Sequence, residues 1–363
     1  MNVLTVNPGS SSVRMLYVIG GQDGPELHVE HAVTDDGTWD EIRAFVAANG
    51  RPDAIAHRLV HGGDAVRRPT VIDDGVLAAV GEVVSLAPLH VPATLRLVDG
   101  LADLLPGVVQ VLCPDTAFHA DLPRAAATYA LPATWRERFG LRRYGFHGLS
   151  YAWATGRAAE LLDRPIDGLQ IVVAHLGGGA SVCAIRDGHS VDTSMGFTPL
   201  DGIPMSTRSG GVDPGMLMWL LDGRISRDEM DQGLNHESGL YGLSGAHSGD
   251  TRELVAASTR GDADAQLALD VYAHRIRREI AAETTSLDRL DALVFTGEIG
   301  WDQPEIRAAI CTGLSQLGVA GPLDDMDAEI DRRVSATSSV PVLVIKTQEN
   351  RQLSIEATAL LKQ

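Results

Sequence analysis

Three side chains and one run of glycines stand where apolar stretches give way to small residues, the places at which a folded chain exposes chemistry. Arg58 interrupts the apolar run from Ala54 to Val60, just ahead of His61-Gly62-Gly63. An arginine at the end of a buried strand sits where α/β proteins place ligands, although a surface ion pair is what most arginines make. Asp115 follows the apolar run 107–113, a position that suits metal binding or catalysis and equally suits helix capping. His147 lies between Gly145 and Gly148, beside Phe146 and ahead of a helix, which opens its ring to an incoming anion. Gly177-Gly178-Gly179 join two apolar strands, Ile171 to His175 and Ala180 to Ile185. Glycines accept positive φ and let an anion approach backbone amides, so this turn can form a nest of N–H donors; an ordinary hairpin is the other reading. A polar passage without periodicity follows from Val191 to Gly210 and carries Arg208. Loops of this length are more often functional than not.

The same strand–turn–strand device opens the chain, where residues 3–6 and 13–18 flank Asn7-Pro8-Gly9-Ser10-Ser11-Ser12. Its hydroxyls and Asn7 suit phosphate and hydrated Mg²⁺, and two copies, one opening each half, suggest an internal duplication. Elsewhere periodicity predicts helices at 38–49, 74–84, 92–104, 150–162, 213–222, 226–234, 262–287 and 352–361. Strands are predicted at 54–60, 107–113, 293–296 and 342–345. Ser238 to Asp250 is read as a loop with four glycines, Asp250-Thr251-Arg252 as a helix start, and 297–302 as a turn into a helix begun by Pro304.

At 363 residues the chain has room for two domains, and a hydrophobic content of 44% with 38 glycines fits an α/β protein rich in turns. A formal charge of −18 argues against nucleic acid or an anionic membrane as partner. The three cysteines, Cys113, Cys183 and Cys311, lie far apart in apolar surroundings and read as buried thiols of a cytoplasmic protein. No basic leader or membrane-spanning run is found. The only lysines are Lys346 and Lys362, so a Gly-Lys-Ser/Thr phosphate loop and a protein-kinase strand lysine are both excluded. Phosphoryl transfer here would need arginine, histidine, backbone amides and metal.

Eight blocks of the chain, in order, resemble the acetate kinase (acetokinase) family over essentially its whole length. They are Asn7-Pro-Gly-Ser-Ser-Ser12, His57-Arg58-Leu-Val-His61-Gly-Gly, Leu86-Ala-Pro-Leu-His90, Asp115-Thr-Ala-Phe-His119, Tyr144-Gly-Phe-His147-Gly, His175-Leu-Gly-Gly-Gly-Ala-Ser181, Asp192-Thr-Ser-Met-Gly-Phe-Thr-Pro-Leu200 and Pro204-Met-Ser-Thr-Arg208-Ser-Gly. The resemblance implies an α/β, duplicated two-domain fold of the actin/Hsp70/sugar-kinase (ribonuclease H-like) kind with a central cleft. It implies a substrate and Mg²⁺ domain of residues 1–119 plus 351–363 and a nucleotide domain of residues 120–350. The implied activity is reversible transfer of a phosphoryl group from ATP to acetate or propionate, in a homodimer.

By the same resemblance Asp115, His147 and Arg208 are catalytic. Arg58 would hold the carboxylate, and Val60, Leu89, Phe146 and Pro199 its methyl group. Arg14, His175, Gly177, Gly178, Gly179, Asp250, Thr251, Arg252, Gly297, Glu298 and Gly300 would meet the nucleotide, and Asn7 and Glu349 the Mg²⁺. The chain departs from the family where Arg14 replaces a lysine, Gly178 and Val91 replace asparagines, and Asn350 replaces an acidic residue. The family's Gly-Ile-Gly-Glu-Asn turn reads Glu298-Ile299-Gly300-Trp301-Asp302. Those last changes open two alternatives: a donor other than ATP, such as pyrophosphate, or a catalytically silent nucleotide-binding relative. Retention of Arg58, Asp115, His147 and Arg208 together argues against silence.

Overall fold

The computed structural model describes residues 1–9, 12–88, 90–320, 323 and 329–362. Among the candidate residues Ser10, Ser11 and Leu89 therefore lie outside the described residues. The chain forms two compact units, one of Met1–Ala120, Phe146–Trp153 and Gln348–Gln363, the other of Asp121–Gly145 and Ala154–Thr347.

In the first unit β1 (Asn2–Pro8), β2 (Val13–Ile19) and β3 (Gln22–Val29) form an antiparallel meander. β4 (Ala54–Leu59) and β6 (Val109–Pro114) extend it in parallel, and β5 (Thr70–Val71) closes the edge, giving the order β3-β2-β1-β4-β6-β5. Successive side chains of a strand point to opposite faces, and both faces here are apolar. Leu4, Val6 and Ile55 pack with Ile42 and Val46 of the helix Asp36–Asn49 and with Leu97 and Leu101 of the helix Val91–Leu104. Val3, Ala56, Val111 and Cys113 face the other way, against Leu353 and Ala357 of the closing helix Glu349–Leu361. Each leucine or isoleucine so buried contributes roughly 1.5–3 kcal/mol. This two-sided burial is why the parallel strands read as unbroken apolar runs.

The second unit repeats the plan. β7 (Gln170–Leu176), β8 (Ala180–Arg186) and β9 (His189–Thr193) form the meander, β10 (Ala292–Thr296) and β12 (Val342–Val344) run parallel to β7, and β11 (Arg332–Arg333) lies at the edge, in the order β11-β12-β10-β7-β8-β9. Third, second, first, fourth and last of the main strands are thus neighbours in both units. The duplication suggested by two hairpins extends to two complete sheets. The helix Ala263–Thr284 packs on β7 and β8 through residues that include Ala268, Tyr272, Ile276 and Ile280. Among the described residues no helix is long and apolar enough to cross a membrane.

Several elements differ from the sequence expectation. Gly177, Gly178 and Gly179 are absent from the positive-φ residues, so the turn between β7 and β8 does not use the freedom expected of it. Residues 297–302 form a short helix rather than a turn. Within the 238–250 loop Gly239–Leu243 is helical. The closing helix begins at Glu349, three residues before the expected start.

Candidate active site

The strand register of the first unit delivers three polar side chains to one place. β1 and β4 run parallel with Val6 beside His57, so Asn7 follows next to Arg58; Leu59 of β4 pairs with Pro114 of β6, and Asp115 follows directly. Ligands of open α/β sheets gather outside the carboxyl ends of such strands. The Arg58 Nε donates to both carboxylate oxygens of Asp115, at 3.2 and 3.1 Å, and Nη2 donates to Oδ2 at 2.7 Å. Its Nη1 donates to Asn7 Oδ1 at 3.1 Å and stands 3.7 Å from Glu349, the first residue of the closing helix. Asn7 Nδ2 in turn donates to Glu349 Oε2 at 2.8 Å. The guanidinium has five N–H groups; among the described residues these hydrogen bonds engage one on each nitrogen.

The network is buried, with side-chain exposures of 15% for Arg58, 1% for Asp115 and 14% for Glu349. Burial works against the charge of Arg58, but Asp115 and Glu349 outweigh it and hold the pKa above the ordinary arginine value. Burial pushes the Asp115 carboxyl up to about 6, against the pull of Arg58 and with a further rise from Glu349. Glu356, in the same closing helix, is pushed up to about 7 by burial and then by the Asp115 charge. Among the described residues its Oε2 has no hydrogen-bond partner, while Oε1 accepts from Gln352 Nε2. Neither the position nor the type of Glu356 marked it in the sequence, since it falls on the inner face of an amphipathic helix.

His147 joins this neighbourhood through its backbone. Its φ is +59°, a left-handed conformation that a histidine adopts at a cost. A Cβ on the next residue, Gly148, would come 2.0 Å from the Asp115 carbonyl oxygen, so the first turn of the helix Gly148–Leu161 rests on the backbone of Asp115. Only glycine permits that approach. Phe146 is buried and meets His61 edge-on at 5.4 Å, and Val60 is buried at the end of β4. Arg14 stands exposed on β2, across the ladder from Asn7.

In the second unit a cavity of about 220 Å³ is lined by Gly178, Ser206, Asp250, Arg252, Glu298 and neighbouring residues. Gly178 opens on space, and the Asp250 carboxylate caps the helix Thr251–Thr259 by accepting from Arg252 N at 2.7 Å. Gly297 has a φ of +81°, and a Cβ there would lie 2.4 Å from the Leu176 carbonyl oxygen, so this glycine is what lets β10 turn tightly against β7. His175 and Gly300 are buried and do not line the cavity. Arg252 pairs with Asp302 at 3.0 Å. Of the three departures at this turn, Asp302 is the partner of Arg252 and Glu298 lines the cavity. Trp301 instead lines a separate space of about 550 Å³, where Arg332 and Lys346 each stand 5.9 Å from its ring. Ser206 and Gln303, also on the smaller cavity, were not singled out in the sequence; Ser206 lay in plain view inside the Pro204–Arg208 block.

Arg208 belongs to the second unit and is largely buried. Its Nη1 donates to Pro199 O at 3.2 Å and lies 3.7 Å from Met205 Sδ, both neutral groups. Among the described residues it has no carboxylate partner, and burial draws its pKa down. A buried cation without an anion is costly. No group of three or more His, Cys, Asp or Glu able to hold a metal is found among the described residues. A site for Mg²⁺ needs only one or two protein oxygens, because the ion keeps waters and phosphate oxygens as ligands. Asn7 and Glu349 fit that limited demand.

Comparison with known proteins gives the same frame. The Acetokinase family matches residues 38–355. An acetate kinase of Synechococcus is 46% identical over 326 residues, 89% of this chain and 80% of that one. The crystal structure of Porphyromonas gingivalis acetate kinase superimposes with a TM-score of 0.88 at 33% identity, over 99% of each chain. A propionate kinase from Francisella tularensis does so with a TM-score of 0.89 at 32% identity, over 98% of each chain. With two sheets of one topology, an arginine–carboxylate network at the strand ends and likeness along nearly the whole sequence, the chain belongs to the acetokinase family.

Proposed function

We propose that the protein is a Mg²⁺-dependent short-chain carboxylate kinase, converting acetate or propionate and ATP reversibly into acyl phosphate and ADP. The observation that carries this reading is the Arg58–Asp115–Asn7–Glu349 network, a buried guanidinium held in place by a carboxylate and an amide at the strand ends. A carboxylate is already ionised at pH 7, so its attack needs no general base. It needs an anion clamp, alignment, and neutralisation of the equatorial oxygens. A carboxylate oxygen forms a bond to the γ-phosphorus as the bond to the β–γ bridging oxygen breaks, and the electron pair leaves with ADP. Arg58 holds the acid, and Arg208 and His147 offset the charge on the transferring group. Asp115 orders Arg58, and Val60 and Phe146, both buried in the same unit, would meet the short acyl chain. Asn7 and Glu349 would hold Mg²⁺, which supplies further charge neutralisation when bound. His175, Gly177–Gly179, Asp250–Arg252 and the 297–300 turn serve the nucleotide, with Arg14 as an outlying cation. The test is hydroxamate formation from acetate, propionate and butyrate with ATP, and no product from any of them would remove the reading.

The pH dependence has a definite sign. Asp115 must be ionised to pair with Arg58, and its carboxyl is raised to about 6 from the ordinary 3.8. Activity should therefore fall as pH drops through about 6, with kcat/KM reporting an apparent value shared with the neighbouring carboxyls. Stability runs the other way. A group whose folded pKa is raised contributes fully below its unfolded pKa, and that contribution is lost as pH rises from about 4 through 6. A kcat/KM profile flat down to pH 5 would contradict this.

Self-association as a homodimer, in the cytoplasm, completes the proposal. The helix Pro214–Leu221 has no buried residue and exposes Met216, Met218 and Trp219 at 44, 70 and 57%. An apolar helix left in water this way is a face for a partner. Glutamate at Met218 and Trp219 together should convert a dimer to a monomer in light scattering after gel filtration. A wild-type chain already monomeric at micromolar concentration would overturn it.

A further inference from the structure

Between the end of β9 at Thr193 and the helix starting at Pro214 the chain has no strand or helix, yet this passage carries Pro199 and Arg208. Its backbone groups must be satisfied by something other than a ladder. The neighbouring segment of the same unit does so. Arg143 Nη1 donates to Thr193 O at 3.0 Å and Ser194 O at 2.9 Å, and lies 3.6 Å from Asp201 Oδ2. Tyr144 N donates to Gly196 O at 3.0 Å, and Phe197 N donates to Tyr129 Oη at 2.7 Å. The Tyr144 and Phe197 rings pack at 5.9 Å, and the Arg143 guanidinium sits 5.6 Å from the centre of the Tyr129 ring. At Gly196 a Cβ would come 2.1 Å from Tyr129 Oη and 2.4 Å from Asp201 Oδ2, so the loop is pressed directly onto the phenol and the carboxylate. These anchors fix residues 193–197 and 201. The three residues between them, Thr198, Pro199 and Leu200, are a short span whose Pro199 carbonyl accepts from Arg208.

We infer that Tyr129 and Arg143 are positioning residues of the carboxylate side, fixing where Pro199 and the carbonyl that Arg208 leans on stand, and thereby which acyl chain is accepted. The inference rests on the roles that the family resemblance implies for Pro199 and Arg208. Neither residue need touch substrate. Tyr129 supplies a lone pair to one amide, and Arg143 ties two carbonyls and a carboxylate together with a planar fork that lysine cannot reproduce.

Tyr129→Phe removes only the hydroxyl and is the direct test. The KM for acetate should rise about tenfold, the loss of one partly buried hydrogen bond. The preference for acetate over butyrate in kcat/KM should shrink several-fold, with the KM for ATP and the thermal midpoint nearly unchanged. Arg143→Lys should move the same quantities in the same direction. Amide exchange in peptides covering 196–202 should quicken about tenfold in Tyr129→Phe, a readout that does not need turnover. Unchanged acid selectivity, or unchanged exchange over 196–202, would overturn the inference. A wild-type protein inactive with every acid would overturn the acceptor reading and this role with it, while the exchange result would still report whether the clamp exists.

Discussion

Alanine at Arg208 should lower kcat by about a thousandfold while leaving the thermal midpoint unchanged or slightly raised. The two halves of that expectation come from one observation. The guanidinium is largely buried against the Pro199 carbonyl and the Met205 sulfur, with no carboxylate beside it among the described residues. Taking an ion out of water costs several kcal/mol unless an opposite charge offsets it, and the lowered pKa of Arg208 reflects that cost. In the role proposed above the residue would contribute little to the resting fold and act on an anionic phosphoryl group. Turnover by the hydroxamate assay, set beside calorimetry of the same variant, checks both parts. A marked loss of stability with a small loss of kcat would make Arg208 a structural residue instead.

Arg58 should behave in the opposite way. Removing it leaves Asp115, 1% exposed, without its cation. Breaking one side of a buried pair costs about 3–5 kcal/mol, so Arg58→Ala should unfold at distinctly lower urea as well as lose activity. Burial raises the Asp115 carboxyl and Arg58 draws it down, so loss of that partner should raise it further. The double variant Arg58→Ala/Asp115→Asn should recover most of the lost stability and none of the activity. Failure of the second substitution to restore stability would show that the two side chains are not coupled as their geometry requires.

Those two arginines illustrate what was legible in the sequence. Arg58 and Asp115 could be read because each ends an apolar run, and parallel strands buried on both faces announce themselves by such runs. Glu349 was recognisable by family likeness. Its exact place, the first residue of the closing helix, was not, because the polar first turn Glu349–Gln352 has no apolar periodicity. β3 went unseen for a related reason. Only Val29 of its eight residues is buried, and Pro25 interrupts it, so no alternation exists to detect. β5 and β11, two residues each, are defined by their neighbours alone. The glycine turn at 177–179 was located correctly, but its expected left-handed backbone is not adopted, while a Cβ at Gly178 would meet only open space. Tyr129 and Arg143 gave no signal, because what they hold is main chain some 50 to 70 positions away.

The scarcity of lysine acquires a meaning from where the two copies stand. Lys346 lies against the Trp301 ring in the second unit, and Lys362 caps the end of the closing helix. The anion clamp itself is built of guanidinium and amide groups. An acyl phosphate is a mixed anhydride that acylates amines, whereas a guanidinium, protonated at any physiological pH, does not react. A catalyst that releases such a product many times over thus keeps lysine amines out of the proposed anion clamp.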